Sequence, residues 1–129
     1  MVKKASKNPE STQIETLLPL TPAAFHILLA LADGELHGYH IMREVEDRTE
    51  GRVRLGPGTM YGSIKRMLAD GWIEETEERP DPKLDDERRR YYRLTDFGYR
   101  VAAAEAERLE HLVRSARMKK LLSKTQVSR

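Results

Sequence analysis

The sequence predicts a mainly α-helical domain that carries a small β-hairpin and ends in a long helix. Three observations lead to this fold class. Between residues 17 and 71, apolar side chains recur at helical spacing in successive segments separated by Gly- and Pro-containing breaks. Short stretches rich in Trp, Ile, Tyr and Leu then flank a polar loop, as in a hairpin. The segment after the hairpin returns to helical spacing and is the longest of all.

Composition excludes several classes of protein. The chain has 129 residues, of which 39% are hydrophobic and 34% are charged, so we expect one domain that completes its core against a partner chain. The absence of cysteine excludes disulfides, thiol catalysis and cysteine-based zinc sites. We find no apolar run of about 18 residues and no apolar stretch after the basic N-terminus. The expected location is therefore the cytoplasm.

These patterns divide the chain into four parts. Residues 1–16 are polar and irregular, and we expect a disordered tail. Residues 17–95 should form the folded domain, residues 96–122 a long C-terminal helix, and residues 123–129 a second tail.

The first predicted helix lies in "LLPLTPAAFHILLALADGE". Thr21 is a suitable N-cap, and Pro22 needs no amide partner at the first helical position. Gly34 should end this element. Its expected apolar face consists of Phe25, Leu28, Leu29 and Ala32.

The second predicted helix lies in "HGYHIMREVEDRTEG", with Ile41, Met42 and Val45 on one face. The third follows the break "GPG", where Pro57 cannot occupy a helix interior and the flanking glycines permit sharp turns. We expect Thr59 to cap this third helix and Gly71 to close it. Its apolar stripe recurs at helical spacing and consists of Met60, Ile64, Met67 and Leu68.

The β-hairpin is predicted from "WIEETEE" and "RRRYYRLT", which flank the polar segment "RPDPKLDDE". Arg88, Arg89 and Arg90 should begin the second strand, and the single Trp72 should enter the core. Charge is unevenly distributed around this hairpin. Residues 51–69 contain four cations and no acids, whereas residues 74–87 contain eight acids and two cations, a net charge of −6.

The last predicted helix, "TDFGYRVAAAEAERLEHLVRSARMKKLL", should be capped by Thr95 or Asp96. Apolar residues on it form a heptad seam with alternating spacings of four and three residues. The rest of the domain or a second copy of the helix could pack on this seam. Its residues are Ala102, Ala106, Leu109, Val113 and Ala116, with Leu112 beside them.

Three helices followed by a two-stranded hairpin are the arrangement of a winged helix-turn-helix, in which the helix after the turn is offered to the major groove. The outer face of the third helix suits that role, because its small and cationic side chains can approach bases and phosphates. An alternative is that Lys65 and Arg66 are ordinary solvated cations. The expected DNA-facing residues of this helix are Thr59, Tyr61, Gly62, Ser63, Lys65 and Arg66.

The hairpin, or wing, has two interpretations. Arg88, Arg89 and Arg90 could contact the minor groove or flanking phosphates, or they could balance the nearby acids. The sequence predicts neither a metal site nor a cofactor. His37, His40 and Glu44 offer ligands on one helical turn, but surface and capping roles fit them better. No nucleophile has a plausible base, and "GPG" lacks the Lys-Ser/Thr of a phosphate-binding loop, so we do not expect an enzyme.

Four segments together resemble the PadR family of bacterial transcriptional regulators: "LTPAAFHILLAL", "HGYHIMREVE", "LGPGTMYGSIKRMLADGWIEE" and "RRRYYRLTDFG". The similarity covers about residues 18 to 100, and "PGTMYGSIKRM" and "RRYYRLT" are its most specific parts. The resemblance implies a winged helix-turn-helix that dimerises through a single C-terminal helix. The family motif places Tyr39, Thr59, Tyr61 and Lys65 near DNA.

The sequence and the resemblance together predict a sequence-specific double-stranded DNA-binding regulator. We expect a homodimeric repressor that binds a palindromic operator, and release by a small hydrophobic effector is part of this hypothesis. The acidic hairpin keeps a second hypothesis open. In that alternative the winged helix serves protein–protein interaction without sequence-specific DNA binding.

Overall fold

The computed structural model describes residues 9–76 and 90–123. The helices are α1 (Pro9–Leu17), α2 (Pro22–Leu31), α3 (Gly38–Arg48), α4 (Pro57–Ala69) and α5 (Asp96–Met118). The strands are β1 (Leu36–His37), β2 (Ile73–Thr76) and β3 (Tyr91–Leu94). They form an antiparallel sheet in the order β1-β3-β2, and the predicted mainly α fold is confirmed.

The core lies where α2, α3 and α4 meet. Ile27, Ile41 and Ile64, one from each helix, are almost completely excluded from solvent. The predicted stripe of α4 is confirmed, because Met60, Ile64 and Met67 are buried and Leu68 packs against the core. Trp72 is buried as expected. Burial of one isoleucine side chain in this core contributes roughly 1.5–3 kcal/mol to the free energy of unfolding.

The buried face of α2 differs from the predicted one. Leu28 is buried as expected, but Leu29 and Ala32 are exposed, and Ile27 and Leu31 are buried instead. The reason is that α2 is apolar on nearly all sides, so the sequence does not show which side packs against α3, α4 and α5. The buried face is turned away from the predicted one. The start of α2 is as predicted: the Thr21 hydroxyl accepts the N–H of Ala24 at 3.1 Å.

The prediction of a disordered tail over residues 1–16 is wrong for residues 9–16, which belong to α1. Ile14 is buried in the core cluster, and Arg100 of α5 forms two hydrogen bonds of 2.8 Å with the Glu10 carboxylate. One buried residue gives no periodicity, so the helix has no apolar pattern in the sequence. Residues 1–8 lie outside the described part of the chain.

The predicted two-stranded hairpin is extended by a third strand. Leu36 and His37 pair with Tyr92 and Tyr91, so β3 is the central strand. Two residues are too short for an alternating pattern, and only the partner strand reveals them as β structure. Tyr91 begins β3, which places Arg90 just before the strand rather than within it.

Helix α5 begins as predicted but ends earlier. Thr95 is its N-cap and accepts the N–H of Gly98 at 2.9 Å. The helix ends at Met118 instead of residue 122, because Lys120 adopts a φ of 65°. The N–H groups of Lys120 and Leu121 bond back to Arg117 and Ala116, the two bonds of a Schellman motif.

A buried carboxylate attaches α5 to the linker before α2. The Glu105 side chain is 3% exposed and is paired with Arg108 at 2.7 Å. Its other oxygen accepts the backbone N–H of Leu20 at 3.3 Å. The hydrogen bond from Arg108 holds the pKa of Glu105 below its ordinary value, against the opposing effect of burial.

The lowered pKa predicts an acid-dependent loss of stability. The folded protein binds this proton less readily than the unfolded chain, whose Glu pKa is about 4.3. The contribution of the ionised Glu105 is therefore complete above that value and is lost as the pH falls through the lower pKa of the folded state. Glu105→Gln should reduce the free energy of unfolding by about 1–3 kcal/mol at pH 7 and by less at pH 3.

Urea unfolding of the wild type and of Glu105→Gln across this pH range measures the difference. Glu107→Gln, on the exposed side of the same helix, is the matched control and should change little at any pH. If Glu105→Gln reduced the free energy of unfolding equally at pH 7 and pH 3, the lowered pKa of Glu105 would be contradicted.

Candidate nucleic-acid interface

Helix α4 begins earlier than the sequence predicts. Gly56 is its N-cap, with φ −69° and ψ 159°, and Pro57 is the first helical residue. The expectation that Thr59 caps the helix is therefore wrong, and Thr59 is an exposed residue of the first turn. Proline fixes the backbone at the first helical position, where its missing N–H has no cost. The "GPG" break is therefore the start of α4 itself, with Gly56 as its cap and Pro57 and Gly58 in its first turn.

The exposed side of α4 carries two cations and two glycines. Gly58, Gly62, Lys65 and Arg66 are exposed, and no ion pair joins Lys65 or Arg66 to another residue in the ranges 9–76 and 90–123. A Cβ atom at Gly58 or Gly62 would meet nothing within 4 Å. The face predicted to meet DNA is therefore exposed and cationic, and its two glycines carry no side chain.

Ser63 lies at the margin of this face. It is half-buried and lines a pocket of about 170 Å³ together with Arg66 and Trp72, where α4 approaches the linker between α1 and α2. Arg66 therefore borders both the exposed face and the pocket. Ser63 is thus a predicted DNA-facing residue of α4 that does not lie on the open surface.

Tyr61 packs against the start of α3. A Cβ atom at position 38 would lie 2.5 Å from the Tyr61 hydroxyl and 3.0 Å from two ring carbons, so a larger residue fits there only if the Tyr61 ring moves. The Tyr61 side chain thereby fixes the approach of α3 to α4, the two helices of the helix-turn-helix. Sequence reasoning did not identify this role of Gly38, because it depends on a ring 23 positions further along the chain.

The start of α3 presents a group of polar aromatic side chains. Tyr39 is 42% exposed, and Arg43 donates to its hydroxyl at 3.4 Å and lies 5.9 Å from its ring centre. His37 caps the helix by accepting the N–H of His40 at 3.4 Å, which confirms a capping role. The rings of His37 and His40 stack at 4.0 Å. Within the described residues, no three His, Asp or Glu side chains are placed to hold a metal ion.

The base of the wing is held by cross-strand ion pairs. Arg93 pairs with Glu74 at 2.7 Å, and Arg90 pairs with Glu75 at 3.2 Å. For Arg90 this geometry favours charge balance over DNA contact. Arg88 and Arg89, the other predicted wing contacts, lie outside the described residues.

The predicted seam of α5 is largely uncovered in the single chain. Leu112 is 51% exposed and Val113 is 42% exposed. Ala106 is exposed, and Leu109 and Ala116 are half-buried. Ala102 differs from these, because it packs partly against the core of its own domain. From residue 106 onwards, α5 thus offers an apolar surface that its own domain does not bury.

The sequence matches the model of the "Transcriptional regulator PadR-like family" over residues 27–104, more than half of the chain. The chain belongs to the PadR-like family. The matched range runs from α2 into α5 and includes the whole helix-turn-helix and the wing. A winged helix followed by a C-terminal helix is thereby confirmed as the fold.

Two relatives extend this assignment. The chain is 35% identical over 89 residues to "Transcriptional regulator Rv3488" of Mycobacterium tuberculosis, which covers 69% of this chain and 77% of that protein. It is 37% identical over 86 residues to an uncharacterised 37.1 kDa protein in transposon TN4556 of Streptomyces fradiae. That match covers 67% of this chain but only 22% of the much longer transposon protein.

A solved structure shares the fold. Bacillus subtilis PadR in complex with operator DNA superposes with a TM-score of 0.54 at 23% identity, over 63% of this chain and 44% of that one. The likeness concerns the fold. Among the described helices of the present chain, none combines the length and the apolar character that a membrane span requires.

The glycines generate a prediction about stability. Gly62 is helical and open, so Gly62→Ala should raise the free energy of unfolding by up to about 1 kcal/mol. Gly51→Ala is the matched control, because Gly51 is equally open but has a φ of 79°. Thermal unfolding should show a higher Tm for the first variant and a lower Tm for the second. A loss of stability for Gly62→Ala comparable to that for Gly51→Ala would contradict the geometry.

Proposed function

We propose that this chain is a homodimeric, sequence-specific DNA-binding repressor that reads a palindromic operator in the cytoplasm. Membership of a family of transcriptional regulators supports the DNA-binding regulator, and the operator complex of Bacillus subtilis PadR supports DNA as the ligand of this fold. Repression, palindromic recognition and dimerisation are the finer parts of the proposal.

The observation that carries the proposal is the division of α4 into two faces. One face is buried through Met60, Ile64 and Met67, so the orientation of the helix is fixed. The opposite face presents Lys65 and Arg66 without ion-pair partners among the described residues. A major groove about 12 Å wide admits one helix, and exposed glycines let the backbone approach closely. Gly62 lowers helix stability, which is intelligible if close approach matters at that position.

The exposed seam of α5 supports dimerisation. Two copies related by a twofold axis could bury Leu109, Leu112 and Val113 against each other. Such a pair presents two recognition helices about 34 Å apart, one helical turn of DNA, and matches an inverted repeat. Release by a small hydrophobic effector completes the proposal, and a panel of hydrophobic ligands should include one that raises the Tm of the protein and releases DNA.

Protein–protein interaction without sequence-specific DNA binding is the second candidate. The segment from residue 74 to residue 87, with a net charge of −6, favours it because acids repel phosphate. In that case DNA should be retained weakly and without sequence preference.

Selection of bound duplexes from a random pool tests the proposal directly. The purified full chain should enrich an inverted repeat and bind it at least about 10³-fold more tightly than random duplex at 150 mM salt. Equal affinity for both duplexes would favour the second candidate.

Lys65→Ala should weaken binding to the selected duplex and flatten its salt dependence by about one counterion per lost phosphate contact. Lys119→Ala is the matched control, since Lys119 is exposed at the far end of α5. Fluorescence anisotropy between 50 and 300 mM salt measures both slopes. Identical slopes for the two variants would remove Lys65 from the interface.

The dimer is tested by a charge in the seam. Val113→Glu should convert the dimer to monomer in analytical ultracentrifugation, because two like charges would face an apolar interface. Ala103→Glu adds the same charge on an exposed face of α5 away from the seam and should leave the dimer intact. Dissociation by both variants, or by neither, would argue against the seam.

A further inference from the structure

The recognition helix and α5 are joined by a compact set of backbone contacts. The backbone N–H of Thr95 donates to the carbonyl of Trp72 at 3.0 Å. The Thr95 hydroxyl lies 2.6 Å from the Gly71 carbonyl oxygen and 3.1 Å from that of Trp72. These two carbonyls belong to the turn that ends α4. The same hydroxyl accepts the N–H of Gly98 at 2.9 Å, so one side chain contacts both elements.

Gly98 brings the two backbones closer than any other residue would permit. A Cβ atom at this position would overlap the carbonyl group of Trp72, which is backbone and cannot move aside as a flexible side chain could. Gly98 is buried and helical, so its glycine is explained by this contact and not by an unusual φ. Contact at this distance makes Gly98 the point about which α5 can tilt relative to the end of α4.

Two further ties hold the first half of α5 to other parts of the domain. Arg100 binds Glu10 of α1, and Glu105 binds the N–H of Leu20. Neither tie reaches α4. Among the described contacts of α5, those of Thr95 with Gly71 and Trp72 and that of Gly98 with Trp72 are the ones that reach the end of α4.

The length of α5 sets how far a tilt at Gly98 moves the proposed dimer seam. Val113, in the proposed dimer seam, lies 15 residues beyond Gly98, which is about 22 Å along a helix. A tilt of about 10° at Gly98 would displace that point by about 4 Å, comparable to the 3.4 Å rise of one base pair. In a twofold dimer both protomers contribute to the displacement.

We propose that Thr95 is a positioning residue that sets the half-site spacing recognised by the dimer, through its contacts with Gly71, Trp72 and Gly98. The inference rests on the proposed function, since it requires the α5 dimer and a recognition helix in the major groove. Thr95 itself need not touch DNA. Its hydrogen bonds fix the angle between the dimer axis and α4, and that angle fixes which spacing of an inverted repeat both helices can reach together.

Substitutions at Thr95 separate its two contacts. Thr95→Ser retains the hydroxyl and hence both the helix cap and the donor to Gly71. Thr95→Asp retains a good cap but cannot donate to a carbonyl oxygen. Thr95→Val has nearly the shape of threonine and loses both.

The measurement is affinity for a series of duplexes that carry the selected inverted repeat with the half-sites moved apart or together by one and two base pairs. The wild type and Thr95→Ser should lose about 10-fold or more per base pair of altered spacing. Thr95→Asp and Thr95→Val should discriminate among spacings by no more than about threefold, because α5 can tilt to compensate. Each variant is compared with itself across spacings. A loss of affinity that is the same for every duplex, caused by a changed charge or a lower stability, therefore cancels from the comparison.

Two outcomes distinguish the inference from the function on which it rests. If Thr95→Asp is folded and dimeric and discriminates among spacings as sharply as the wild type, Thr95 has only a capping role and the inference is overturned. If the wild type forms no dimer or binds no inverted repeat selectively, the proposed function fails first. Circular dichroism and sedimentation of each variant establish folding and dimerisation before DNA is added.

Discussion

The carbonyl group of Trp72 is the point on which the arrangement of the other elements depends. The N–H of Trp72 closes the end of α4 by donating to Met67 at 2.9 Å, and β2 starts at the next residue. The carbonyl then receives the N–H of Thr95, where β3 gives way to α5. The backbone of one residue, Trp72, thus joins the end of α4, the start of β2 and the start of α5. The Trp72 carbonyl group lies directly against Gly98, so residue 98 of α5 cannot carry a side chain.

Helix α4 is packed firmly on one side, and its other side exposes glycines and cations. Its orientation is maintained by buried methionine and isoleucine side chains and by Tyr61, which packs into the space left at Gly38. Exposed residues of α4 therefore have no structural task that the described contacts reveal. Open glycines and cations without ion-pair partners in the ranges 9–76 and 90–123 suit contact with a polyanion better than they suit folding.

The sequence predicted those features that are encoded locally. The stripe of α4, the Thr21 cap and the Thr95 cap each depend on residues within two turns of one another. Helix α1 could not be predicted, because Ile14 is its only buried residue and Arg100 is distant in sequence. Thr59 and Gly56 are both suitable caps by residue type, and the backbone angles of Gly56 decide between them.

The candidate site was predictable to a similar extent. Helical spacing alone places Gly62, Lys65 and Arg66 opposite the apolar stripe, and the structure agrees. The half-burial of Ser63 depends on where the linker before α2 lies, and the packing of Tyr61 depends on Gly38. Both are contacts between distant segments, which periodicity does not report. For Arg90, the pairing with Glu75 could be derived only from the strand register.

The packing of Tyr61 against Gly38 has a consequence for how a regulator of this kind can acquire a new operator. Residues of α4 that touch other helices must be retained together with their partners, so a change at Tyr61 requires a compensating change on α3. Gly62, Lys65 and Arg66 carry no such constraint from the described contacts. In the proposed binding mode, duplicated genes diverge in target sequence through exposed positions of α4 whose substitution leaves the packing of the domain unchanged, and the same positions offer a small library for retargeting by directed evolution.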